Sequence, residues 1–305
     1  MSTPSTAVPA EIPRTPRDRA RYMTPENGFA FSWPAVPARQ FLAERDAAFS
    51  DATPTGAILL DCSAQLATPY PATTPTLLLR YLKLRAGERL RTAFQGSGEV
   101  YYVMTGSGES RHESGRIEWG TGDLFCFPGG ADTTHIAATQ DCLLFCGTNE
   151  PLLAYERLRP PALGQSTVET THWPAAEIAR HFETVWQREL TSRNTGHFVQ
   201  FSSTSLAPST NTLGTVNVAI NTLPAGADQA PHRHNGVAVT LAIQGEGIHS
   251  LIDGERIDWA TGAAQITPAT AMHSHHNRGT QRMRSLVFQD EALHYYTRTP
   301  GFSFG

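Results

Sequence analysis

The feature that most constrains this fold is an internal duplication. Residues 81–135 align with residues 220–275 at an offset of 139 to 140 positions. The matched positions are Gly87 with Gly226, Gly106 with Gly245, Gly108 with Gly247, Trp119 with Trp259, Gly122 with Gly262, and Pro128 with Pro268. A repeat of this kind is typical of two copies of one structural unit. The chain is therefore expected to fold as two similar halves.

Short runs with alternating apolar residues, separated by Gly, Pro and Asn or Asp turns, indicate a chain of mostly β-strands. Asp253-Gly254 lies between two such runs and predicts a hairpin. One helix is expected over residues 174–190, where Ile178 and Phe182 share a face that would dock on a sheet. Evenly spaced strands repeated twice favour an all-β fold of two antiparallel barrels or jelly rolls with a few short helices, joined by a linker at 149–166.

Charge and composition exclude several classes of protein. The chain has 305 residues, a formal charge of -4 and no Lys/Arg run, so no nucleic-acid partner is expected. Residues 1–30 are rich in Pro, Ser and Thr and resemble neither a signal peptide nor a membrane span, which predicts a cytoplasmic location and no membrane partner. The cysteines are expected to be reduced and buried, although two of them, Cys142 and Cys146, are also candidate metal ligands.

Three histidines form the strongest chemical signal. His232 and His234 are two residues apart, so in a strand they project to the same side, and a hairpin fold can bring His273 beside them. Imidazole suits iron, zinc, copper or nickel, and no thiolate lies near these positions. The sequence therefore predicts a three-histidine metal site, with Fe(II) as the first choice.

These residues carry a family resemblance. "GADQAPHRH" from Gly226 and "GAAQITPATAMHSHHN" from Gly262 resemble the two cupin motifs, with Thr270 in place of a glycine and Ala238 or Val239 in place of the glutamate. "PHRHNGVAV" followed by "MHSHHN" resembles the gentisate 1,2-dioxygenase group and its salicylate and hydroxynaphthoate relatives. The resemblance implies a bicupin of two double-stranded β-helix barrels, iron held by three histidines, and a homo-oligomer.

The implied activity is Fe(II)-dependent cleavage of the ring of a hydroxylated aromatic acid by O2. Three neutral ligands leave the ion its full +2 charge, which favours a substrate that chelates through two negative groups, carboxylate and phenolate. Two other interpretations stay open. One is a different metal-cupin reaction, such as that of a decarboxylase, lyase, isomerase or an oxygenase on a non-aromatic ligand, and the other is a ligand-binding bicupin without catalysis.

Strand parity predicts the pocket around these histidines. Small inward side chains leave room for substrate, and polar or charged neighbours orient it, with hydrogen bonds to strand ends or plain solvation as their alternative role. The predicted pocket residues are Asn217, Asn221, Ala238, Thr240, Ala242 and Arg282. The predicted catalytic residues are Gln265, Arg284 and His275, the last as a hydrogen-bond donor behind the ligands or a proton shuttle, or else merely exposed.

The first half lacks the ligands. Ala93, Gln95 and Thr133 stand where the second half has its three histidines, although Glu99 and His135 survive at motif positions. In the gentisate enzymes the indispensable iron lies in the first cupin, so this chain departs from that pattern. The predicted domains are an extension at 1–30, a degenerate cupin without metal at 31–155, and a metal-binding cupin at 156–305.

Overall fold

A computed structural model describes residues 15–30 and 32–305. The chain divides into two compact units, Met1–Trp33 and Pro34–Gly305. In the first unit a single helical turn, α1, begins after Thr15, whose side chain accepts a hydrogen bond from the Asp18 backbone. Residues 1–14 of the predicted extension lie outside the described residues. Within the described part of the chain, no helix combines the length and apolarity needed to cross a bilayer.

The second unit contains most of the secondary structure. Helix α1 of the first unit spans Pro16–Arg19, and the helices of the second unit are α2 (Leu42–Phe49), α3 (Ser63–Leu66), α4 (Glu150–Glu156), α5 (Ala175–Val185) and α6 (Ala292–Tyr296). The strands of the first half are β1 (Gly56–Leu59), β2 (Leu78–Leu84), β3 (Arg89–Thr92), β4 (Gly98–Thr105), β5 (Ser107–His112), β6 (Gly115–Gly120), β7 (Leu124–Pro128), β8 (Thr133–Ala137), β9 (Cys142–Thr148) and β10 (Thr171–Trp173). Those of the second half are β11 (His197–Phe201), β12 (Asn217–Leu223), β13 (His232–Arg233), β14 (Ala238–Gln244), β15 (Ile248–Ile252), β16 (Glu255–Asp258), β17 (Ala264–Thr267), β18 (His273–Asn277), β19 (Met283–Gln289) and β20 (Ser303–Phe304).

Each half forms a barrel of two antiparallel sheets. The first barrel combines the sheet β1-β2-β9-β4-β7-β10 with the sheet β3-β8-β5-β6. The second combines β11-β12-β19-β14-β17 with β16-β15-β18-β13-β20. The predicted all-β bicupin with a few short helices is therefore confirmed.

Local predictions can be compared directly with these elements. The Asp253-Gly254 hairpin joins β15 to β16, and both turn residues have positive φ, as a two-residue hairpin turn of this kind requires. The predicted helix is α5, which buries Ile178 and Phe182 but ends at Val185, short of residue 190. The predicted linker at 149–166 contains α4 in its first half. All four cysteines are free and buried, as expected.

The six-stranded sheet of the first barrel and the sheet β11-β12-β19-β14-β17 of the second share one hydrophobic core. Alternate residues of β2, β4 and β9 point away from their own barrel and pack against β14, β17 and β19 of the other. At the centre Phe145 lies edge-on to Phe288, with ring centroids 6.0 Å apart, and the Tyr81 hydroxyl donates to the Gly262 carbonyl. The two barrels are thus joined by an apolar interface and not only by a linker.

The halves also exchange their leading segments. The segment before α2 pairs with β17 of the second barrel, where the Phe41 amide donates to the Ala264 carbonyl and the Ile266 amide donates to the Arg39 carbonyl. Reciprocally, β10 pairs with β7 of the first barrel. Each barrel is thus extended by the segment of chain that precedes the other barrel. The boundary at 155/156 stays a prediction.

Candidate metal centre

The three histidines singled out in the sequence come together in the second barrel. His232 on β13 lies directly opposite His273 on β18, and His234 follows β13 by one residue. One ring nitrogen from each lies within 4.8 Å of the other two, and all three side chains are buried. Among the described residues this is the one cluster of its kind, and no carboxylate belongs to it.

Backbone carbonyls fix the orientation of each imidazole. Nδ1 of His232 lies 2.8 Å from the Ala230 carbonyl, and Nδ1 of His273 lies 3.0 Å from the Ala271 carbonyl. His234 makes the same contact with the Gly236 carbonyl at 2.8 Å. A carbonyl can only accept, so each Nδ1 carries the proton and each Nε2 keeps its lone pair.

Burial keeps these rings neutral. It lowers the pKa of His232 and of His234, and it lowers the pKa of His273 to about 3, with a further contribution from the two neighbouring histidines. Neutral imidazoles with outward-held N–H groups and converging Nε2 lone pairs are the donor set that a first-row divalent metal requires. The residues present therefore fit the predicted metal.

A cavity of about 200 Å³ opens beside the three imidazoles. Its wall combines the histidines with small, polar and aromatic side chains, and no Lys or Arg is among the described residues that line it. The lining residues are Thr195, Phe198, Gln200, Ala219, Asn221, Gln229, His232, His234, Ala238, Thr240, Thr267, His273, His275, Val287, Gln289, Glu291, Tyr295 and Phe302.

Comparison of the two barrels explains why the cavity lies in the second one. Inside the first barrel, Tyr101 on β4 stacks on its cross-strand partner Phe125, and Phe127 packs beside them. The same register positions of the second barrel hold Thr240 opposite Gln265, with Thr267 next along β17. Two threonines and a glutamine thus replace three aromatic rings, and the smaller side chains leave space beside the three histidines.

Several residues predicted for the site line this cavity. Ala238 and Thr240 do so on β14, and Asn221 does so on β12. His275 is buried at its edge, with Nδ1 2.9 Å from Ser250 Oγ, so the exposed alternative does not apply. The structure brings these four residues together with the three histidines.

Other predicted residues lie elsewhere. Ala242 packs in a small apolar cluster with Leu223 and Ile248 instead of lining the cavity. Gln265 donates to Ser250 Oγ at 2.6 Å, behind the cavity wall. Asn217, at the start of β12, is buried outside the lining, with Oδ1 lacking a hydrogen-bond partner among the described residues.

Both predicted arginines pack on α5. The guanidinium of Arg282 lies 4.8 Å from the Trp186 ring centroid, and that of Arg284 lies 5.5 Å from the Phe182 ring centroid. Neither lines the cavity of the histidines. Cation–π contacts with the helix thus account for their position.

Sequence reasoning missed eleven residues of the described lining, and four of these lie beyond residue 288. Gln289 ends β19 opposite Ala238, and its Nε2 lies 3.3 Å from Nε2 of His234. Glu291 and Tyr295 belong to the turn of chain that forms α6, and the Phe302 ring lies 5.2 Å from that of His232. Strand parity could have found Gln289, whereas the other three lie between β19 and β20 and carry no periodic signal.

The matching place in the first barrel is filled by a carboxyl group. Glu99 is buried and accepts a hydrogen bond from Thr133, which stands at the position of His273. Burial raises the pKa of Glu99 to about 8. A protonated glutamic acid and a threonine therefore occupy this position, packed beneath the aromatic rings of the barrel.

Known proteins share parts of this sequence. Residues 219–288 match the family model described as the cupin domain. A gentisate 1,2-dioxygenase from Ralstonia sp is 26% identical over 147 residues, which are 45% of this chain and 39% of that relative. A 5-aminosalicylate 1,2-dioxygenase from Comamonas sp is 35% identical over 81 residues, 27% of this chain and 22% of that relative. The matches thus span less than half the length of these curated relatives.

The fold likeness extends over almost the whole chain. The salicylate 1,2-dioxygenase from Pseudoaminobacter salicylatoxidans, in its adducts with gentisate, superposes with a TM-score of 0.72 at 13% identity, covering 92% of this chain and 88% of that one. Both barrels and their connection are therefore shared, not only the matched cupin segment. The chain therefore has the two-barrel bicupin fold of that dioxygenase, and its histidine cluster lies in the C-terminal barrel.

Proposed function

We propose that this protein is an Fe(II)-dependent dioxygenase that cleaves the ring of a hydroxylated aromatic acid with O2. The observation that carries the proposal is a buried cluster of three neutral imidazoles, free of carboxylate, beside a cavity of about 200 Å³. The two curated relatives support it, because gentisate and 5-aminosalicylate are both single-ring aromatic acids with a hydroxyl beside the carboxylate.

Charge balance favours an acidic ligand that binds to the metal itself. Because the cavity lining that the structure describes contains no Lys or Arg, the protein offers no cationic side chain to a substrate carboxylate. Fe(II) held by His232, His234 and His273 would supply that positive charge and the redox chemistry that ring cleavage by O2 demands. The chain's own task is to hold the three imidazoles in the tautomer that leaves each Nε2 without a proton.

Cavity size favours one aromatic ring. Pockets for drug-sized ligands span roughly 300–1,000 Å³, whereas this one measures about 200 Å³. The rings of Phe198 and Phe302 and the side chain of Val287 provide apolar surface for the faces of a flat substrate. A single hydroxybenzoate ring fits this space better than a naphthalene ring.

The test is oxygen uptake after anaerobic reconstitution with Fe(II). The panel comprises gentisate, salicylate, 5-aminosalicylate, 1-hydroxy-2-naphthoate and a non-aromatic diketone, and the His273→Ala variant is the matched control. Uptake with at least one single-ring acid, a ring-opened product by mass spectrometry, and no uptake by the control are expected. Stoichiometric iron without uptake on any aromatic acid would overturn the proposal in favour of another metal-cupin reaction.

A further inference from the structure

Glu291 is the one acidic side chain in the described lining of the cavity. It stands at the N-terminal end of α6, two residues beyond Gln289, and only 4% of its surface is exposed. Its Oε1 atom is buried and has no hydrogen-bond partner among the described residues. A carboxylate in this position has acceptor capacity that the protein itself does not use.

Glu291 is held in place by its neighbours. Gly236 packs against its backbone so closely that a Cβ on that glycine would lie 2.8 Å from the Glu291 Cβ. Burial raises the pKa of the Glu291 carboxyl group, and the neighbouring Tyr295 and His294 oppose that shift. The close approach of Gly236 fixes the Glu291 backbone at the cavity wall.

Glu291 is not a fourth metal ligand. The cluster of converging ligand atoms consists of the three imidazoles, and the Glu291 carboxylate lies outside it. Buried acceptors without a partner are costly, because the group has lost its water without gaining a donor. A ligand that brings a donor to this oxygen would recover that loss, and a ligand without one would not.

We propose that Glu291 selects aromatic acids that carry a hydrogen-bond donor, an amino or hydroxyl group, at a ring position outside the metal-chelating pair. The inference rests on the function proposed above, since it takes the chelating pair to lie on the metal. Repulsion between two carboxylates keeps the acid group of the substrate away from Glu291, and the donor substituent turns toward it. Glu291 thereby sets both the choice of substituent and the orientation of the ring.

The experiment measures binding without turnover. Isothermal titration calorimetry under anaerobic conditions compares Fe(II)-loaded wild type with Glu291→Leu and Glu291→Gln. The probes are salicylates that carry hydrogen, amino or methoxy at ring position 4 or 5. We expect wild type to bind an amino compound about tenfold to a hundredfold more tightly than salicylate, the range of one hydrogen bond to a buried charged group.

The two variants separate recognition from packing. In Glu291→Leu the ratio of affinities for amino compound and salicylate is expected to fall to near one. Glu291→Gln keeps the shape and presents an amide, so it should keep part of the amino preference and gain affinity for methoxy compounds relative to wild type. Glu118→Leu, on the exposed side of β6 in the other barrel, is the control and should leave the ratio unchanged.

The outcomes are distinguishable. An unchanged ratio in Glu291→Leu, or an equal loss of affinity for all probes, would overturn the role of Glu291. Amino preference that depends on Glu291, without oxygen uptake, would support the inference and overturn the proposed function. Oxygen uptake by a wild type without amino preference would support the proposed function and overturn the role of Glu291. Absence of binding by every salicylate would overturn both.

Discussion

The hydroxyl oxygen of Ser250 lies 2.9 Å from Nδ1 of His275. The same oxygen accepts a hydrogen bond from Trp259 Nε1 at 2.7 Å and a second from Gln265 Nε2 at 2.6 Å. With both of its lone pairs taken by donors, Ser250 must donate its proton, so Nδ1 of His275 is the acceptor and its Nε2 carries the hydrogen. His275 therefore lines the cavity with a donor, not with a lone pair.

The first barrel contains the serine, histidine and tryptophan of this network, but not the glutamine. Ser110 Oγ lies 2.7 Å from His135 Nδ1 and accepts from Trp119 Nε1 at 2.8 Å. This barrel lacks the three metal-type histidines, so the network is a property of the fold that both halves share. The donor that His275 directs at the cavity in the second barrel therefore belongs to a structural element that both barrels share.

Ser110→Ala should destabilise the protein by about 1–3 kcal/mol, because the Trp119 and His135 nitrogens would be left buried without a partner. Urea unfolding followed by tryptophan fluorescence measures this loss. Ser192→Ala, at an exposed position, is the control and should change the free energy of unfolding by less than about 0.5 kcal/mol. Equal values for the two variants would show that the network contributes nothing to stability.

Loss of any one ligand should abolish metal retention. A site of three imidazoles cannot lose a member and stay tight, so His232→Ala, His234→Ala and His273→Ala should each leave iron far below one equivalent after gel filtration. Gln95→Ala, at the matching position of the first barrel, should retain the wild-type content. Mass spectrometry of the metal measures the iron content per chain. A wild-type iron content in any histidine variant would contradict the assignment of that ligand.

The sequence predicted the ligands because they depend on local spacing. His232 and His234 are related by strand parity, and the resemblance of residues 262–277 to the second cupin motif indicates His273. The arginines could not be placed in this way. Arg282 and Arg284 do share a side, but parity cannot say that α5 covers that side and holds both guanidinium groups.

Ala242 shows a second limit of sequence patterns. Parity along β14 places it inward with Ala238 and Thr240, yet it lies in an apolar cluster with Trp259. Ala242 pairs with Ser285 in the same unbroken register as Thr240 with Val287, so it keeps the predicted side of the strand. At its level of the barrel the interior is filled by Leu223, Ile248 and Met283. Alternation within one strand predicts the side on which a residue lies, but not which side chains of other strands fill the space there.

Filling the second barrel as the first is filled should close the cavity. Thr240→Tyr copies Tyr101 of the first barrel onto the matching strand position, where the ring would occupy most of the space in front of the histidines. Substrate binding should weaken at least about a hundredfold, because the overpacked site has no room for a ligand ring. Thr240→Ser, which adds no volume, is the control for loss of the methyl group. Tight binding by Thr240→Tyr would place the substrate outside this cavity.

Glu99 makes the stability of the first barrel depend on pH. Its native pKa is raised by burial to about 8, against a reference value of 4.5 when unfolded. Between these two values the unfolded chain releases the proton while the native protein keeps it, so the native state binds more protons and the free energy of unfolding must fall as pH rises. The stability is fully present below pH 4.5 and is lost progressively up to pH 8.

Glu99→Gln removes the titration while an amide oxygen still accepts from Thr133. Urea unfolding of both proteins at pH 5, 6, 7 and 8 should show the variant gaining on wild type by up to about 1 kcal/mol per pH unit, and parallel curves would mean that Glu99 titrates alike in both states.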